Sequence, residues 1–238
     1  MSIVVLVHGA WHGGWCWHKI VARLERAGHA VLAPDMKGHG IDRSPPSGTT
    51  LDNLVAGIAD VVAAQPEPVV LVGHSFGGTI ITEVAERMPE KIKRLVYLAA
   101  FVVPGGQTTR ELSADDPESI LGPHIVFAPD NKTATVDPEH LRACFYAQCS
   151  DDDVALARAL LVPEGVAAFS SPSRATQSRW GRIPSAYIEC VQDRAIGIAR
   201  QRKFAGFLNG AKRFSLDTDH SPFFSSPDAL ATHLDHLA

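Results

Sequence analysis

Residues 69–81 read VVLVGHSFGGTII, an apolar run that leads directly into a serine surrounded by glycines. Residues 73–77 fit the pattern G-x-S-x-G, which composition alone would produce by chance in roughly one such chain in ten. The context makes the match specific, because a buried strand precedes it and a helical pattern over 79–88 follows it. We therefore predict a strained strand-to-helix turn that holds the hydroxyl of Ser75 clear of the sheet, at a helix N-terminus.

Short apolar runs alternate with amphipathic helical patterns along most of the chain. Several runs are apolar on both faces, which is typical of parallel strands covered by helices on either side. Helical patterns over 15–27 and 50–64 separate the early runs, and Ser226 followed by proline predicts the start of a last helix. This alternation predicts an α/β fold with a doubly wound, mostly parallel sheet. The six predicted strands are 3–8, 30–35, 69–74, 94–100, 186–191 and 212–216.

The region between the fourth and fifth predicted strands breaks this alternation. Residues 107–184 contain no convincing strand, and helices are predicted over 137–148 and 151–161. We expect a helical cap, inserted before the last two strands, over the carboxyl edge of the sheet. The core would then be formed by 1–106 and 185–238, with core and cap acting as one structural unit.

The composition indicates a globular protein and argues against several classes of partner. The chain is 45% hydrophobic and 20% charged, and its net charge of −4 comes with scattered Lys and Arg, so we expect neither a nucleic-acid partner nor binding to a membrane surface. No signal-peptide pattern is present, and no apolar run approaches the roughly 18 residues that span a bilayer. Four irregularly spaced cysteines predict neither a zinc site nor a disulfide framework, and we expect a cytoplasmic location.

A serine hydroxyl becomes a nucleophile only when a histidine takes its proton and an acid orients that histidine. In a sheet of this kind the acid and then the histidine should follow the serine, each after a late strand. Asp193 follows the run 186–191, and His220 follows the run 212–216. Asp217 and Asp219 also lie near the histidine, but they are too close to it in sequence to orient it and are expected to shape its loop.

Acyl transfer also needs backbone N–H groups that stabilise the negative charge developing on the substrate oxygen. One donor should be the residue after the nucleophile, Phe76. The other should come from the glycine-rich segment 8–15, HGAWHGGW, which follows the first strand. Ala10 is the predicted second donor, because the neighbouring glycines allow the backbone to approach the serine closely.

Six segments together resemble the α/β-hydrolase superfamily: HGAWHGGWCW, APDMKGHG, GHSFGG, LVYLAAF, YAQCSDDDVALA and the final DH. The chain is most similar to the branch that contains plant methylesterases, hydroxynitrile lyases and bacterial carboxylesterases of the pyrethroid-hydrolase type. The resemblance implies six parallel strands under a largely helical cap. It also implies a catalytic triad of Ser75, Asp193 and His220, with Ala10 and Phe76 as oxyanion donors.

The resemblance separates hydrolases from lyases at two positions. The lyases of this branch carry threonine where this chain has Gly9, and lysine where it has Ser221. Both lyase residues are absent, so ester hydrolysis is favoured over cyanohydrin cleavage. Relatives that act as haloalkane dehalogenases or epoxide hydrolases carry aspartate in place of Ser75, so these activities are disfavoured.

We therefore expect a serine hydrolase that cleaves carboxylic esters through an acyl-enzyme, without a metal or organic cofactor. Aromatic residues near the motifs predict an apolar pocket for a small or medium substrate with an apolar or aromatic part. A thioesterase or lactonase, a hydroxynitrile lyase and a small-molecule receptor on the same fold remain as alternatives. A homodimer is compatible with the sequence. The predicted substrate-binding residues are Trp11, Phe101, Trp180 and Phe223.

Overall fold

The computed structural model describes all residues from Met1 to Ala238 and is built around one sheet of six parallel strands. Numbered in chain order, its strands are β1 (Ile3–Val7), β2 (Ala30–Leu32), β3 (Val69–His74), β4 (Ile92–Leu98), β8 (Ser185–Cys190) and β9 (Lys212–Leu216). They lie side by side in the order β2-β1-β3-β4-β8-β9, and every pairing is parallel. The predicted α/β fold with a doubly wound sheet is thus confirmed.

The strand order reverses direction between β1 and β3, which are hydrogen-bonded neighbours with Val7 opposite Gly73. At such a point the loops that leave the two strands diverge to opposite sides of the sheet and open a crevice at its carboxyl edge. The segment that begins at His8 leaves β1 here, and the serine turn leaves β3. The topology therefore brings the two motifs of the sequence to the same place.

Helices cover both faces of the sheet, and most have recognisable start signals. The helix over Leu51–Ala63 begins with a capping box in which Thr50 and Asn53 exchange side-chain and backbone hydrogen bonds. The predicted helix 15–27 is a short 3₁₀ turn followed by a regular helix. In chain order the helices of the core are α1 (His18–Arg26), α2 (Leu51–Ala63), α3 (Gly77–Arg87), α7 (Ile198–Ala205), α8 (Pro222–Ser225) and α9 (Pro227–Leu237). None of the helices is both long enough and apolar enough to cross a membrane.

The core lies between the sheet and these helices. All six residues of β3 are buried, as are the last four residues of both β1 and β4. Because helices cover both faces, the strands are apolar in continuous runs rather than in alternation. Five of the six strands were predicted within two residues of their observed ends, and the second ends at Leu32, three residues before its predicted end.

Between β4 and β8 the chain forms a cap that contains helices and also a small sheet. The prediction that this region lacks strands was wrong, because β5 (Ile125–Phe127), β6 (Thr133–Val136) and β7 (Glu164–Gly165) pair antiparallel within it. These strands are two to four residues long, so they are too short for a periodic pattern, and neighbouring segments rather than local preference determine them. The cap elements are α4 (Thr109–Ser113), β5 (Ile125–Phe127), β6 (Thr133–Val136), α5 (Leu141–Phe145), α6 (Asp151–Leu160) and β7 (Glu164–Gly165).

The two predicted cap helices differ in how well the sequence located them. Helix α6 starts and ends within one residue of the prediction, with the Ser150 hydroxyl accepting from the Asp153 N–H at its start. The predicted helix 137–148 is reduced to α5. Residues 137–140 form a turn instead, closed by the His140 N–H donating to the Asp137 carbonyl.

Candidate active site

Ser75 lies in a sharp turn between β3 and α3 and has a backbone φ of +53°. A residue other than glycine rarely takes this left-handed conformation, so the predicted strain is present. The flanking glycines are required by space. A Cβ added to Gly73 would lie 2.6 Å from the carbonyl oxygen of Gly77, and one added to Gly77 would lie 2.7 Å from the carbonyl oxygens of Val7 and His8. Glycine is therefore required at position 73 for the turn to close on itself and at position 77 for it to pack against the end of β1.

Asp193 and His220, which follow β8 and β9, form a buried pair. The Nδ1 of His220 lies 2.7 Å from the Oδ2 of Asp193, and both residues are at most 3% exposed. The Nε2 of His74 donates to the backbone carbonyl of His220 at 2.8 Å, and the two rings are 4.5 Å apart. Since His74 directly precedes Ser75, this bond holds the His220 loop beside the serine turn. With Nδ1 facing Asp193, the Nε2 of His220 is left to accept a proton.

The carboxylate of Asp193 accepts four hydrogen bonds. Its Oδ1 accepts from the backbone N–H groups of Ala195 and Ile196, at 2.7 and 3.0 Å. Its Oδ2 accepts from His220 and, at 3.1 Å, from the side-chain amide of Gln201. These bonds fix the acid in one orientation.

Gln201 was not predicted as part of the site. It lies on α7, is fully buried, and its amide also bonds both backbone groups of Cys190, at 2.9 and 3.0 Å, and the carbonyl of Ile196 at 2.8 Å. A glutamine in a polar helical pattern looks like a surface residue, so the sequence carries no signal for this role. Gln201 anchors α7 to the end of β8 and thereby positions Asp193.

Asp219, the acid that sequence proximity disfavoured, makes no hydrogen bond to the imidazole of His220, whose Nδ1 bonds Asp193. Its Oδ1 accepts from the Ser221 N–H and the Ser225 hydroxyl, and its Oδ2 accepts from the Gln148 N–H at 2.7 Å. It therefore shapes the loop after β9, as expected, and it also ties that loop to the cap.

The two predicted oxyanion donors share one property: neither the Ala10 N–H nor the Phe76 N–H donates to any group of the protein. Both residues are nearly fully buried, at 4% and 1% exposed. A buried N–H without a partner is rare in folded proteins and indicates a ligand-binding role. The β1 loop lies against the serine turn at this point, because a Cβ added to Gly9 would be 2.9 Å from the Cβ of Ser75.

Two buried histidines fix the backbone around Ala10. The Met36 N–H donates to the Nε2 of His8, so the Nδ1 of His8 donates to the carbonyl of Gly9, at 2.8 Å. The Nδ1 of His12 lies 2.7 Å from the carbonyl of Ala10. Burial, followed by the positive charge of His39, holds the pKa of His8 well below its usual value, so this ring stays neutral.

Tyr146 from the cap determines the tautomer of His12. Its hydroxyl lies 2.6 Å from the Nε2 of His12, which leaves Nδ1 to donate to the backbone. Burial, and more weakly the nearby His220, lower the pKa of His12 to about 4 against the opposing effect of its backbone hydrogen bond. This second contribution to the site was also missed, since Tyr146 lies 134 residues from its partner.

Two cavities flank Trp11. One, of about 330 Å³, is bordered by β6, α5 and α6. The other, of about 210 Å³, is bordered by α4, β5 and Phe169. The Phe169 ring stacks on the ring of Phe76 at 4.2 Å, so the second cavity lies one side chain away from the residue that follows the nucleophile. Its wall is mostly apolar, with Arg110, Ser113 and Glu164 as polar exceptions.

The four predicted substrate-binding aromatics are not brought together. Trp11 lines both cavities. Phe101 packs on Phe204 at 5.2 Å, and the indole of Trp180 donates to the Tyr97 hydroxyl at 2.8 Å. Phe223 packs on Trp17 and on His74, whose ring centroid lies 5.1 Å away. For Phe101, Trp180 and Phe223 these contacts describe packing, and substrate binding by them stays a prediction.

One group of side chains in the cap has the composition of a metal site: His124, Asp137 and His140, whose ligating atoms lie within 4.8 Å of one another. The two imidazole rings stack face to face, with centroids 3.6 Å apart and planes 9° from parallel. The lone pairs of an imidazole lie in its plane, so two parallel rings do not direct them at one ion. The Nδ1 of His140 is also hydrogen-bonded to Asp137. We assign no metal to this group.

Comparison with known proteins agrees with this architecture. The model of the alpha/beta hydrolase family matches residues 4–233. Methylesterase 2 of Arabidopsis thaliana is 31% identical over 245 aligned residues, covering 97% of this chain and 93% of the relative. Pheophorbidase of Raphanus sativus is 32% identical, covering 97% of this chain and 91% of that protein. The chain spans between 61% and 95% of the length of seven Arabidopsis methylesterases that it matches.

Solved structures extend the likeness to three dimensions. A pyrethroid hydrolase from Sphingobium faniae JZ-2 superposes with a TM-score of 0.88 at 26% identity, covering 99% of this chain and 96% of that one. The likeness includes the cap as well as the sheet, since nearly the whole of both chains is covered. The chain therefore belongs to the alpha/beta hydrolase family, in the branch that contains the plant methylesterases.

Proposed function

We propose that this protein is a serine carboxylesterase that cleaves small to medium esters with an apolar or aromatic part, using Ser75, His220 and Asp193. The observation that carries the proposal is the pair of buried, unpartnered N–H groups of Ala10 and Phe76 beside the strained serine turn. A strand-to-helix turn needs no such pair for folding, whereas stabilisation of a tetrahedral oxyanion does.

In the proposed first half-reaction, the Nε2 of His220 takes the proton of the Ser75 hydroxyl as its oxygen attacks the ester carbonyl. Asp193 holds the imidazole through Nδ1 and stabilises its charged form. The N–H groups of Ala10 and Phe76 donate to the oxyanion. Collapse of the tetrahedral intermediate breaks the bond to the alcohol oxygen, which receives its proton from His220, and leaves an acyl-enzyme on Ser75.

In the second half-reaction, His220 removes a proton from water, whose oxygen attacks the acyl carbonyl. The resulting tetrahedral intermediate collapses, the carboxylic acid leaves, and Ser75 regains its proton from His220. The chain's own residues are sufficient for both half-reactions.

The names of relatives and the mostly apolar cavity support the substrate class. Relatives are named methylesterase, pheophorbidase and pyrethroid hydrolase, all of which denote ester cleavage or hydrolysis. The 210 Å³ cavity beside Phe169 has room for an acyl group of moderate size. Reaction in the cytoplasm also belongs to the proposal and is supported by four cysteines that are all unpaired.

Cyanohydrin cleavage is the less favoured alternative. The threonine of the lyases would stand at Gly9, where an added Cβ lies 2.9 Å from the Cβ of Ser75 and 3.1 Å from the Nδ1 of His74. The backbone here is arranged for a residue without a side chain. A mandelonitrile cleavage assay tests this alternative directly.

The experiment that tests the proposal is hydrolysis of p-nitrophenyl esters, from acetate to octanoate, by the wild type and by Ser75→Ala. We expect turnover by the wild type and its loss by at least a thousandfold in the variant. Ser47→Ala, which changes an exposed serine with no hydrogen-bond partner, is the matched control and should behave as the wild type. Wild-type turnover by Ser75→Ala, or no turnover of any ester by the folded wild type, would contradict the proposal.

A further inference from the structure

Trp11, the residue after the predicted oxyanion donor Ala10, has a backbone φ of +63°. Large side chains avoid this conformation unless surrounding contacts impose it. All three polar groups of Trp11 bond to the cap. Its N–H donates to the Oε2 of Glu164 at 3.0 Å, its carbonyl accepts from the Val162 N–H at 3.0 Å, and its indole donates to the carbonyl of Ala134 at 2.9 Å.

These contacts leave one free group in the backbone around Ala10. In the peptide group between Gly9 and Ala10, the carbonyl is hydrogen-bonded to His8. In the next peptide group, the Ala10 carbonyl is hydrogen-bonded to His12 and the Trp11 N–H to Glu164. Both peptide planes are therefore fixed, and the Ala10 N–H is the remaining donor. Its direction depends on these three side chains, of which only Glu164 belongs to the cap.

The Glu164 carboxylate joins three segments of the molecule at a site that is 1% exposed. Its Oε2 accepts from Trp11 and lies 3.0 Å from the Nε2 of His39, while its Oε1 accepts from the Gly165 N–H at 3.1 Å. The chain is closely packed here, because a Cβ added to Gly165 would lie 1.9 Å from the Oγ1 of Thr49 and 2.3 Å from the carbonyl oxygen of Pro46.

His39 supplies the charge that allows a carboxylate to be buried here. Its Nδ1 lies 3.0 Å from the carbonyl of Lys37 and its Nε2 faces Glu164, so both ring nitrogens meet acceptors. Only the doubly protonated ring satisfies both bonds. Burial by itself would lower the pKa of His39, but the hydrogen bond and the charge of Glu164 outweigh it and raise that pKa.

We propose that Glu164 is a positioning residue of the oxyanion hole: its carboxylate, paired with His39, holds the Trp11 N–H and so directs the Ala10 N–H at the reacting oxygen. The inference rests on the proposed function. It assigns to the cap a role in stabilising the transition state, in addition to covering the substrate. An N–H donor that is displaced by a fraction of an ångström stabilises the transition state less well, while binding of the ester changes little. The reason is that the negative charge on oxygen develops only on attack.

The test compares Glu164→Gln with Glu83→Gln. Glu83 is also buried and also bonds the cap, since its Oε1 accepts from the Ser173 hydroxyl and the Arg174 N–H at 2.6 and 3.0 Å, but it makes no contact with Trp11. For Glu164→Gln we expect kcat on p-nitrophenyl butyrate to fall about tenfold, with KM within a factor of two of the wild type. Glu83→Gln should keep both values even if its Tm falls equally.

A pair of inhibitors separates positioning from general loss of structure. The serine oxygen adds to the carbonyl of an alkyl trifluoromethyl ketone and forms a hemiketal oxyanion. The matching methyl ketone binds without forming this oxyanion. Glu164→Gln should weaken binding of the trifluoromethyl ketone about tenfold, in proportion to the fall in kcat, and leave the affinity for the methyl ketone unchanged. If Glu164→Gln does not fold, His39→Gln, which keeps the carboxylate but removes its counter-charge, should show the same selective loss at about threefold.

Two results would overturn the inference: a folded Glu164→Gln enzyme with wild-type kcat and trifluoromethyl ketone affinity, or equal weakening of both ketones. If Glu164→Gln does not fold, the same two results for His39→Gln would have the same consequence. Failure of the proposed function has a different signature, since the folded wild type would then hydrolyse no ester at all.

Discussion

The core and the cap contribute to the site in different ways. The core supplies every proposed reacting group, from the ends of four strands of one sheet: Ala10 after β1, Ser75 and Phe76 after β3, Asp193 after β8 and His220 after β9. The cap supplies Tyr146 and Glu164, which contact none of the reacting atoms and instead bond the loop after β1. In the proposed mechanism the reacting groups thus lie on the core, and their alignment depends partly on the cap.

This division predicts a hierarchy of mutational effects. Removal of a core group should abolish a step of the reaction, whereas removal of a cap group should leave every step in place with poorer geometry. The difference between thousandfold and tenfold losses is therefore a measure of whether the assignment of roles is correct.

The largest effect is expected for His220→Ala. Without the imidazole, Ser75 has no base and the leaving alcohol no acid, so kcat/KM for p-nitrophenyl butyrate should fall by about 10⁴-fold or more. His236→Ala, which removes an exposed histidine of the last helix, is the control and should retain wild-type turnover. A loss of less than about tenfold in folded His220→Ala would place the base elsewhere.

Crowding of the oxyanion loop should have the next largest effect. In Gly9→Ala the new Cβ would lie 2.9 Å from the Cβ of Ser75, so the loop must retreat from the serine. We expect kcat/KM to fall about a hundredfold, comparable to the loss of one oxyanion donor. Gly57→Ala is the matched control, because a Cβ at Gly57 would have no neighbour within 4 Å. Equal activities of the two variants would show that the loop does not approach the reacting centre.

On the cap side, Tyr146→Phe removes the hydroxyl that selects the tautomer of His12. All reacting groups remain, so we expect only a threefold to tenfold fall in kcat, with about 1–3 kcal/mol of lost stability from the unpartnered Nε2. Tyr97→Phe is matched, since its buried hydroxyl bonds Thr82 of α3 and the indole of Trp180 and does not bond the β1 loop. It should lose comparable stability without loss of kcat. A thousandfold loss of kcat in Tyr146→Phe would contradict the assignment of reacting groups to the core and of positioning groups to the cap.

The smallest effect concerns the pH dependence of the link between cap and core. The folded-state pKa of His39 is raised above the unfolded value, because Glu164, and more weakly the charge of Asp35, outweigh burial. The ion pair therefore stabilises the fold fully below pH ~6.5 and loses this contribution as the pH rises through the raised pKa. Urea unfolding of wild type and His39→Gln from pH 6 to 9 should show a difference of about 1 kcal/mol that shrinks with rising pH. A difference that grows with pH would contradict a charged His39.

The sequence predicted the core because its signals are local. Mostly apolar runs located the first five strands, the mixed segment KRFSL located the sixth, and G-x-S-x-G between a strand and a helix located the turn whose strain the structure contains. The order of acid and histidine after the late strands then identified Asp193 and His220 as a pair, and they are hydrogen-bonded.

The parts that the sequence did not predict depend on distant contacts. The short cap strands pair because other segments hold them together, and no periodicity marks strands of two to four residues. Tyr146 and Glu164 meet their partners in the β1 loop 134 and 153 residues away. Gln201 resembles any polar residue on a helix until the end of β8 is seen beside it.

The central claim is that Ser75 is the nucleophile, and covalent trapping tests it most directly. Incubation with an alkyl fluorophosphonate, followed by mass spectrometry of the intact chain and of its peptides, should show one phosphonyl adduct per chain, on Ser75. His220→Ala should form that adduct at least a hundredfold more slowly. An esterase that is inactivated by an adduct on another residue, or that stays active and unlabelled at saturating reagent, would contradict the account.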